Sequence, residues 1–220
     1  MAYVIGTNFE AGSDTTDFVL EVFVVASLLH PENVQNAQSE LDVVVGLRTP
    51  ALGDIPSLPY TFAFVQEVLR WGPVVPGGIQ RCMTKDDEYL GYKISKGTIL
   101  TPNLWSMEFD PLTFQEAGSL RPERWIERHD LPWSAFGFGR RVCPGQYLAK
   151  NSLKLVVSRM LWAFEFRPKT PTRPKSFYMT QGISSRPETI DAVLIPRTSD
   201  HHRMIGREWK SCDRESWIDR

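Results

Sequence analysis

Cysteine is scarce in this chain. Cys82, Cys143 and Cys212 form an odd set of three in 220 residues, which excludes a fully paired disulfide framework and suits a reducing compartment. Nor is there an excess of one charge: Lys and Arg total 25 against 26 Asp and Glu, so the chain lacks the basic surplus that holds nucleic acid. The four histidines, His30, His129, His201 and His202, fall into no HExxH spacing, and the cysteines into no CxxC spacing, which argues against a structural zinc site. Long apolar runs are missing too. The longest near the start, residues 18–29, is interrupted by Glu21 and is shorter than the ~20 residues a bilayer-crossing helix needs. No charged and then apolar leader follows Met1, because the run NFEAGSD stands in its place. The expectation is a chain without a transmembrane segment, cytoplasmic as written.

What the chain does have is apolar side chains, 42% of its residues, with 11% aromatic, ample for a buried core. Apolar positions recur at helical spacing over residues 2–29, up to the break at His30-Pro31. In the middle stand Gly12, Ser13, Asp14, Thr15 and Thr16, poor helix formers whose glycine alone costs ~1 kcal/mol against alanine. Such a conflict predicts a local distortion with a functional reason. A second helix is expected over 32–45, then an irregular connector marked by Gly46, Pro50, Gly53 and Pro56, then a third helix over 59–71 stopped by Gly72-Pro73. Strand-like pieces follow at 89–94 and 98–100 around the turn Ser95-Lys96-Gly97. Residues 110–141 show no period and run longer than loops normally do, so something other than secondary structure must organise them. A last clear helix over 146–166 carries the stripe Ala149, Leu153, Val156, Val157, Met160, Leu161 and Phe164. Strands are expected at 176–179 and 190–195, and a polar, ill-ordered tail over 197–220. The fold class is mainly α with small β-sheets.

Residues 136–145 read FGFGRRVCPG. They place Cys143 between glycines and directly before the last helix, where unpaired backbone N–H groups and the positive end of the helix dipole favour a thiolate. Gly137, Gly139 and Gly145 let the backbone take positive φ and approach a flat ligand closely, and Arg141 offers a fixed charge suited to a carboxylate. Taken alone, a lone cysteine beside a basic turn is more often a core thiol. Here, however, Phe136, Gly139, Arg141, Cys143 and Gly145 satisfy FxxGxRxCxG at every specified position, and the segment resembles the haem-ligand loop of the cytochrome P-450 family.

Three further features stand in the family's order. Glu67-Val68-Leu69-Arg70 resembles its ExxR motif, although by spacing alone a solvated i,i+3 pair worth ~0.3–0.5 kcal/mol would be the default. The family's third member comes from a later Pro-Glu-Arg segment, here Pro122-Glu123-Arg124, so the resemblance implies a structural triad of Glu67, Arg70 and Arg124 that pins residues 110–141 onto the third helix. Residues 11–16, AGSDTT, resemble the oxygen-side helix motif. A helical threonine commonly just bonds the carbonyl one turn back, but the resemblance gives Asp14 and Thr15 the catalytic role of delivering protons to dioxygen through a water relay, with Gly12 leaving room for it. Arg81, after the apolar run at 74–79, is by resemblance a second partner, beside Arg141, for the haem propionates. Residues 74–79, 6–9 and 179–183 would line the substrate pocket.

The resemblance spans residues 1–196 and corresponds to the C-terminal portion of the family's fold, from the oxygen-side helix through the haem-binding loop to the final helix. The apolar faces of the first and last long helices would then lack their usual partners, and Met1 falls inside the oxygen-side helix, which suggests a truncated gene model or a remnant rather than an evolved short enzyme. Ser95 replaces the proline common in the family's turn, and Leu120 replaces an aromatic before Arg121-Pro122. The phrase NLWSMEFDP at 103–111 resembles fungal members.

The resemblance implies haem b with Cys143 as the axial ligand of its iron, and Phe136, Gly139, Gly145, Arg141 and Arg81 as its binding residues. It implies a monooxygenase that hydroxylates a lipophilic small molecule in secondary metabolism, using dioxygen and electrons from an NADPH-dependent flavoprotein reductase docked near Arg140, Lys150 and Lys154. For a full-length relative it implies the cytosolic face of the endoplasmic reticulum membrane. Two alternatives stay open: a non-catalytic portion that binds haem weakly or not at all, and a member that rearranges peroxides without a reductase, for which Thr15 has no use.

Overall fold

A computed structural model describes residues 2–170 and 178–211. Helix α1, Ala2–Leu29, enters the core only with its second half: Val19, Val22, Phe23, Val25 and Ala26 are buried, whereas Tyr3, Val4, Ile5 and Phe9 stand in solvent. It runs unbroken through Gly12, where an added Cβ would meet nothing within 4 Å. The expected distortion is therefore absent: the hydroxyls of Ser13 and Thr15 donate to the carbonyls of Phe9 and Ala11 one turn back, which the helix accommodates.

Helix α2, Pro31–Val44, starts on a proline, whose missing N–H costs nothing there, and buries Asn33, Val34, Ala37 and Leu41. A 3-10 turn, Leu52–Ser57, leads to α3, Pro59–Trp71, the most enclosed helix, with Phe64, Val65, Glu67, Val68, Leu69 and Arg70 all buried. Gly72 ends it against α1, because a Cβ there would lie 2.4 Å from Val22 Cγ1. Helix α6, Gln146–Ala163, completes the packing with Leu153, Val157, Leu161 and Trp162. Phe23 meets Phe64 edge-on at 5.7 Å and Phe166 at 5.4 Å, joining α1, α3 and the chain beyond α6 in one core.

The strands are short and antiparallel. Strand β1, Arg81–Cys82, pairs with β4, Ile99–Leu100, and β2, Asp87–Tyr89, pairs with β3, Tyr92–Ile94. The strand expected at 89–94 is thus folded in half, because Leu90 and Gly91 both take positive φ and form the turn of a hairpin. Helices α4, Leu104–Glu108, and α5, Arg124–Glu127, are single turns too short to leave a period in the sequence. The last long helix stops at Ala163 rather than at 166, since Phe164–Pro168 becomes β5 and pairs with β6, Ala192–Pro196. The expected strand at 176–179 lies mostly outside the described residues, and Met179 forms an isolated bridge to Pro187.

The tail expected from residue 197 is not ill-ordered where it is described. Ser199–Ser211 form α7, docked by His201 against Trp162 at 4.9 Å between ring centroids and by Met204 and Ile205 on the core. Arg197 clamps Asp42 of α2 with two hydrogen bonds of 2.8 and 2.6 Å. The polar composition concealed a three-residue apolar contact at i, i+3 and i+4.

Candidate functional site

The cysteine loop is built by main-chain hydrogen bonds. Ser134 C=O accepts from Gly137 N–H at 2.7 Å, and Phe136 C=O accepts from Cys143 N–H at 2.9 Å, folding the cysteine back onto the phenylalanine that opens the loop. Between them a 3-10 turn spans Gly139–Arg141. Gly137 and Gly139 sit at φ +69° and +64°, and since a Cβ at Gly139 would touch nothing within 4 Å, conformation rather than space requires glycine there. A Cβ on Gly145 would lie in van der Waals contact with Cys143 Sγ, at 3.9 Å, so that glycine stands beside the sulfur. Cys143 is a half-buried free thiol whose carbonyl accepts from Gln146 N–H at the start of α6. Phe136 lies edge-on to Trp133 at 5.6 Å, and the Lys150 ammonium caps both rings at 5.1 and 4.1 Å.

Glu67, Arg70 and Arg124 are brought together and buried. The Glu67 carboxylate accepts five hydrogen bonds. Oε1 receives Arg70 Nη2 at 2.7 Å, Arg121 N–H at 2.9 Å and Arg124 Nε at 3.1 Å, while Oε2 receives Arg70 Nε at 2.9 Å and Trp125 Nε1 at 2.8 Å. Arg70 also donates to the carbonyls of Glu108, Ala117 and Ser119, and Arg124 to those of Gln115, Glu116 and Ser119. Burial holds the Arg124 guanidinium below its ordinary range, against the pull of Glu67. All of these carbonyls but that of Glu108 belong to the segment without periodicity, so two guanidiniums replace the ladder it lacks. The rings of Phe109 and Phe114 lie 5.6 and 5.2 Å from the Arg70 guanidinium.

Other residues singled out in the sequence are not drawn into this network. Arg81 donates only to the neighbouring Gln80 carbonyl, and neither it nor Arg141 joins an ion pair among the described residues. Asp14 is exposed on α1 and Thr15 half-buried. Val74 C=O accepts from Ser185 N–H at 2.8 Å, two residues beyond the expected lining at 179–183. Lys150 and Lys154 are not free surface cations: burial lowers both from their ordinary range, and Lys154 Nζ rests 3.7 Å above the Phe62 ring. Arg140 is the exposed member of that set.

The sequence left three participants unseen. Trp125 donates to Glu67 directly, and its place beside Arg124 was the available signal. Ser134 and Glu108, joined by a hydrogen bond within the buried interior, stand in segments with no helical or strand period to mark them.

A free half-buried thiol at a helix start, and two guanidiniums that join no ion pair among the described residues, are the chemistry that a haem with two propionates would call on. The chain matches the cytochrome P-450 family model over residues 1–194. It is 43% identical over 210 residues to the cytochrome P-450 monooxygenase aneD of Aspergillus aculeatus, covering 92% of this chain and 41% of that protein. With drtD of Aspergillus calidoustus it shares 42% over 227 residues, covering 99% and 43%. A zebrafish cytochrome P-450 solved with abiraterone superposes at a TM-score of 0.82 with 34% identity, over 87% of this chain and 46% of that one. The chain spans about two fifths of the length of these curated relatives. The cysteine loop, the Glu67 network and these likenesses agree, and this chain belongs to the cytochrome P-450 family.

Proposed function

We propose that Cys143 is the axial thiolate ligand of a haem b iron, and that this chain is the C-terminal portion of a monooxygenase that hydroxylates a lipophilic small molecule with dioxygen. Membership of the family implies haem, and the observation that carries the ligand assignment is the position of Cys143, folded onto Phe136 and opening α6 with Gly145 beside its sulfur. A bound haem with a thiolate ligand supplies the oxygen chemistry, electron density from sulfur favouring O–O cleavage. Arg141 and Arg81, without acid partners, bind the propionates, and Phe136, Gly139 and Gly145 shape the approach to the ring.

On the oxygen side, the Thr15 hydroxyl spends its hydrogen on Ala11 C=O. Its lone pairs remain to accept from a water molecule, which the exposed Asp14 carboxylate recharges with protons from solvent. Residues 74–79 and the turn after 179 line the substrate side. Electrons come from an NADPH-dependent flavoprotein reductase whose acidic surface meets Arg140, and the whole enzyme works at the cytosolic face of the endoplasmic reticulum. No described helix is long and apolar enough to cross a membrane. The test is the reduced carbon monoxide spectrum of the haem-loaded chain: a thiolate-type Soret band is expected, lost in Cys143→Ala. Its absence from the wild type, or its survival in the variant, would remove Cys143 as ligand.

One observation favours a second reading, a portion that binds haem weakly and does not turn over substrate. Tyr3, Phe9, Tyr147 and Leu148 are 93, 77, 76 and 75% exposed, an apolar surface with no cover among the described residues. A weak, dissociable Soret band without product formation in the presence of reductase and NADPH is its signature.

A further inference from the structure

We propose that Glu108 is a positioning residue for the cysteine loop, setting the loop's order through the charge on its own buried carboxyl group. Glu108 closes α4 and is 2% exposed. Its Oε1 accepts from the Ser134 hydroxyl, while its Oε2 is buried with no hydrogen-bond partner among the described residues. A buried carboxylate whose donors all come from Ser134, with its second oxygen unpaired, is expensive, whereas a neutral acid there is not.

The neighbouring cations cannot supply the missing donors. A guanidinium has five N–H groups, and Arg70 makes five hydrogen bonds, two to Glu67 and one each to the carbonyls of Glu108, Ala117 and Ser119. Arg124 makes four hydrogen bonds, to Glu67 and to the carbonyls of Gln115, Glu116 and Ser119, and none to Glu108. Asp110 turns to Leu112 N–H and Thr113, and α4 carries no other titratable group. Burial accordingly pushes the Glu108 carboxyl up to about 7, opposed by the Ser134 hydroxyl, by Arg70 and by the Ser134 N–H, and helped by Glu67.

Ser134 is the first link of the loop. Its carbonyl receives Gly137 N–H, and two residues on Phe136 C=O receives Cys143 N–H. A neutral Glu108 holds Ser134 against α4, and an ionised one draws water into the contact and frees the strap from 134 to 136. The consequence for an axial thiolate rests on the function proposed above, but the lock belongs to the polypeptide and can be measured without haem.

The experiment is hydrogen exchange, read by mass spectrometry on the haem-free full chain and corrected for intrinsic rates, at about pH 6 and about pH 8. If only the neutral acid holds the loop, one pH unit above a midpoint near 7 leaves roughly a tenth of the molecules locked. Protection over 134–143 should then fall about tenfold, with α3 peptides unchanged. Glu108→Gln, neutral at every pH, should keep protection at both pH values. Ser134→Ala, which removes the hydroxyl arm of the link and leaves only the backbone N–H, should lower protection of the loop already at about pH 6. Equal wild-type protection at the two pH values overturns the proposal, as does a Ser134→Ala loop protected like wild type. Absence of the thiolate-type Soret band at every pH, with the exchange result intact, would instead overturn the haem-ligand assignment.

Discussion

Replacing Glu67 by glutamine would test whether the pair at 67 and 70 is the surface pair its spacing suggests or the keystone the structure shows. The side chain is fully buried and its two oxygens accept from Arg70 twice, Arg124, Trp125 and the Arg121 amide. Glutamine keeps the volume but turns one oxygen into an NH2 group. The donors on that side lose their acceptor, and two guanidiniums keep their charge with no counter-ion in an interior closed to water. Removing one partner of a buried pair typically costs ~3–5 kcal/mol, against ~5–15 kcal/mol for the total stability of a domain. With a urea dependence of ~2 kcal/mol per molar, the unfolding midpoint should drop by ~2 M.

Tryptophan fluorescence is a suitable probe, because Trp125 donates to the same carboxylate. The exposed pair Arg128–Asp130 is the control, and Arg128→Ala should leave the midpoint where it is. A Glu67→Gln midpoint within ~0.3 M of wild type, corresponding to ~0.5 kcal/mol, would refute the assignment of a shared buried acceptor. A cycle with Arg124→Leu adds a second check, since residues on one carboxylate should couple by ~0.5–3 kcal/mol rather than add.

The buried His201 ring is held below its ordinary 6.5, first by burial and then by Arg197. The unfolded chain therefore takes up that proton before the folded one does, so the contribution is present above the unfolded value and lost as pH falls from there through the lower folded value; melting followed at about pH 7.5 and about pH 5 should show the loss, and His201→Phe should flatten it. Glu108 runs the opposite way: raised from 4.5 to about 7, it keeps its proton while the unfolded chain releases one, so stability falls as pH rises across that window, by ~3 kcal/mol at ~1.4 kcal/mol per unit. Glu108→Gln should remove this slope in urea titrations. Gly72→Ala drives a Cβ to 2.4 Å from Val22 Cγ1 and should cost ~1–3 kcal/mol by overpacking α1 against α3, with Val22→Ala in the same chain restoring part of it.

Helices α1, α2, α3 and α6 were legible because each buries a stripe that repeats, such as Val19, Val22 and Ala26 on α1 and Leu153, Val157 and Leu161 on α6. The cysteine loop was legible for a different reason, since its glycines and cysteine stand within ten residues of one another. Single-turn helices, the hairpin at Leu90-Gly91 and α7 were not. One turn has no period, Leu90 is a side chain that rarely takes positive φ, and α7 makes its contact with a histidine, a methionine and an isoleucine inside a charged run. The middle of α1 shows the reverse error. Poor intrinsic formers predicted a local distortion, but Ser13 and Thr15 satisfied themselves on their own helix.

The segment from 110 to 141 shows why its organisation could not be read from its own residues. Its carbonyls at 115, 116, 117 and 119 are satisfied by Arg70 and Arg124, and Arg70 belongs to a helix some forty residues upstream. A guanidinium has a fixed number of hydrogens, so the donors that fix these carbonyls are withheld from the acid beside them. The hydrogen bonds that make the segment rigid are thus the same ones that leave Glu108 with an oxygen unpaired. Rigidity of the scaffold and sensitivity of the loop to that carboxyl's charge have one physical origin, and Arg70→Lys separates them. With three donors in place of five, lysine should loosen peptides over 115–119 in hydrogen exchange even where Glu108 is neutral. Were those peptides to stay protected, the carbonyls would have to be held by something other than Arg70.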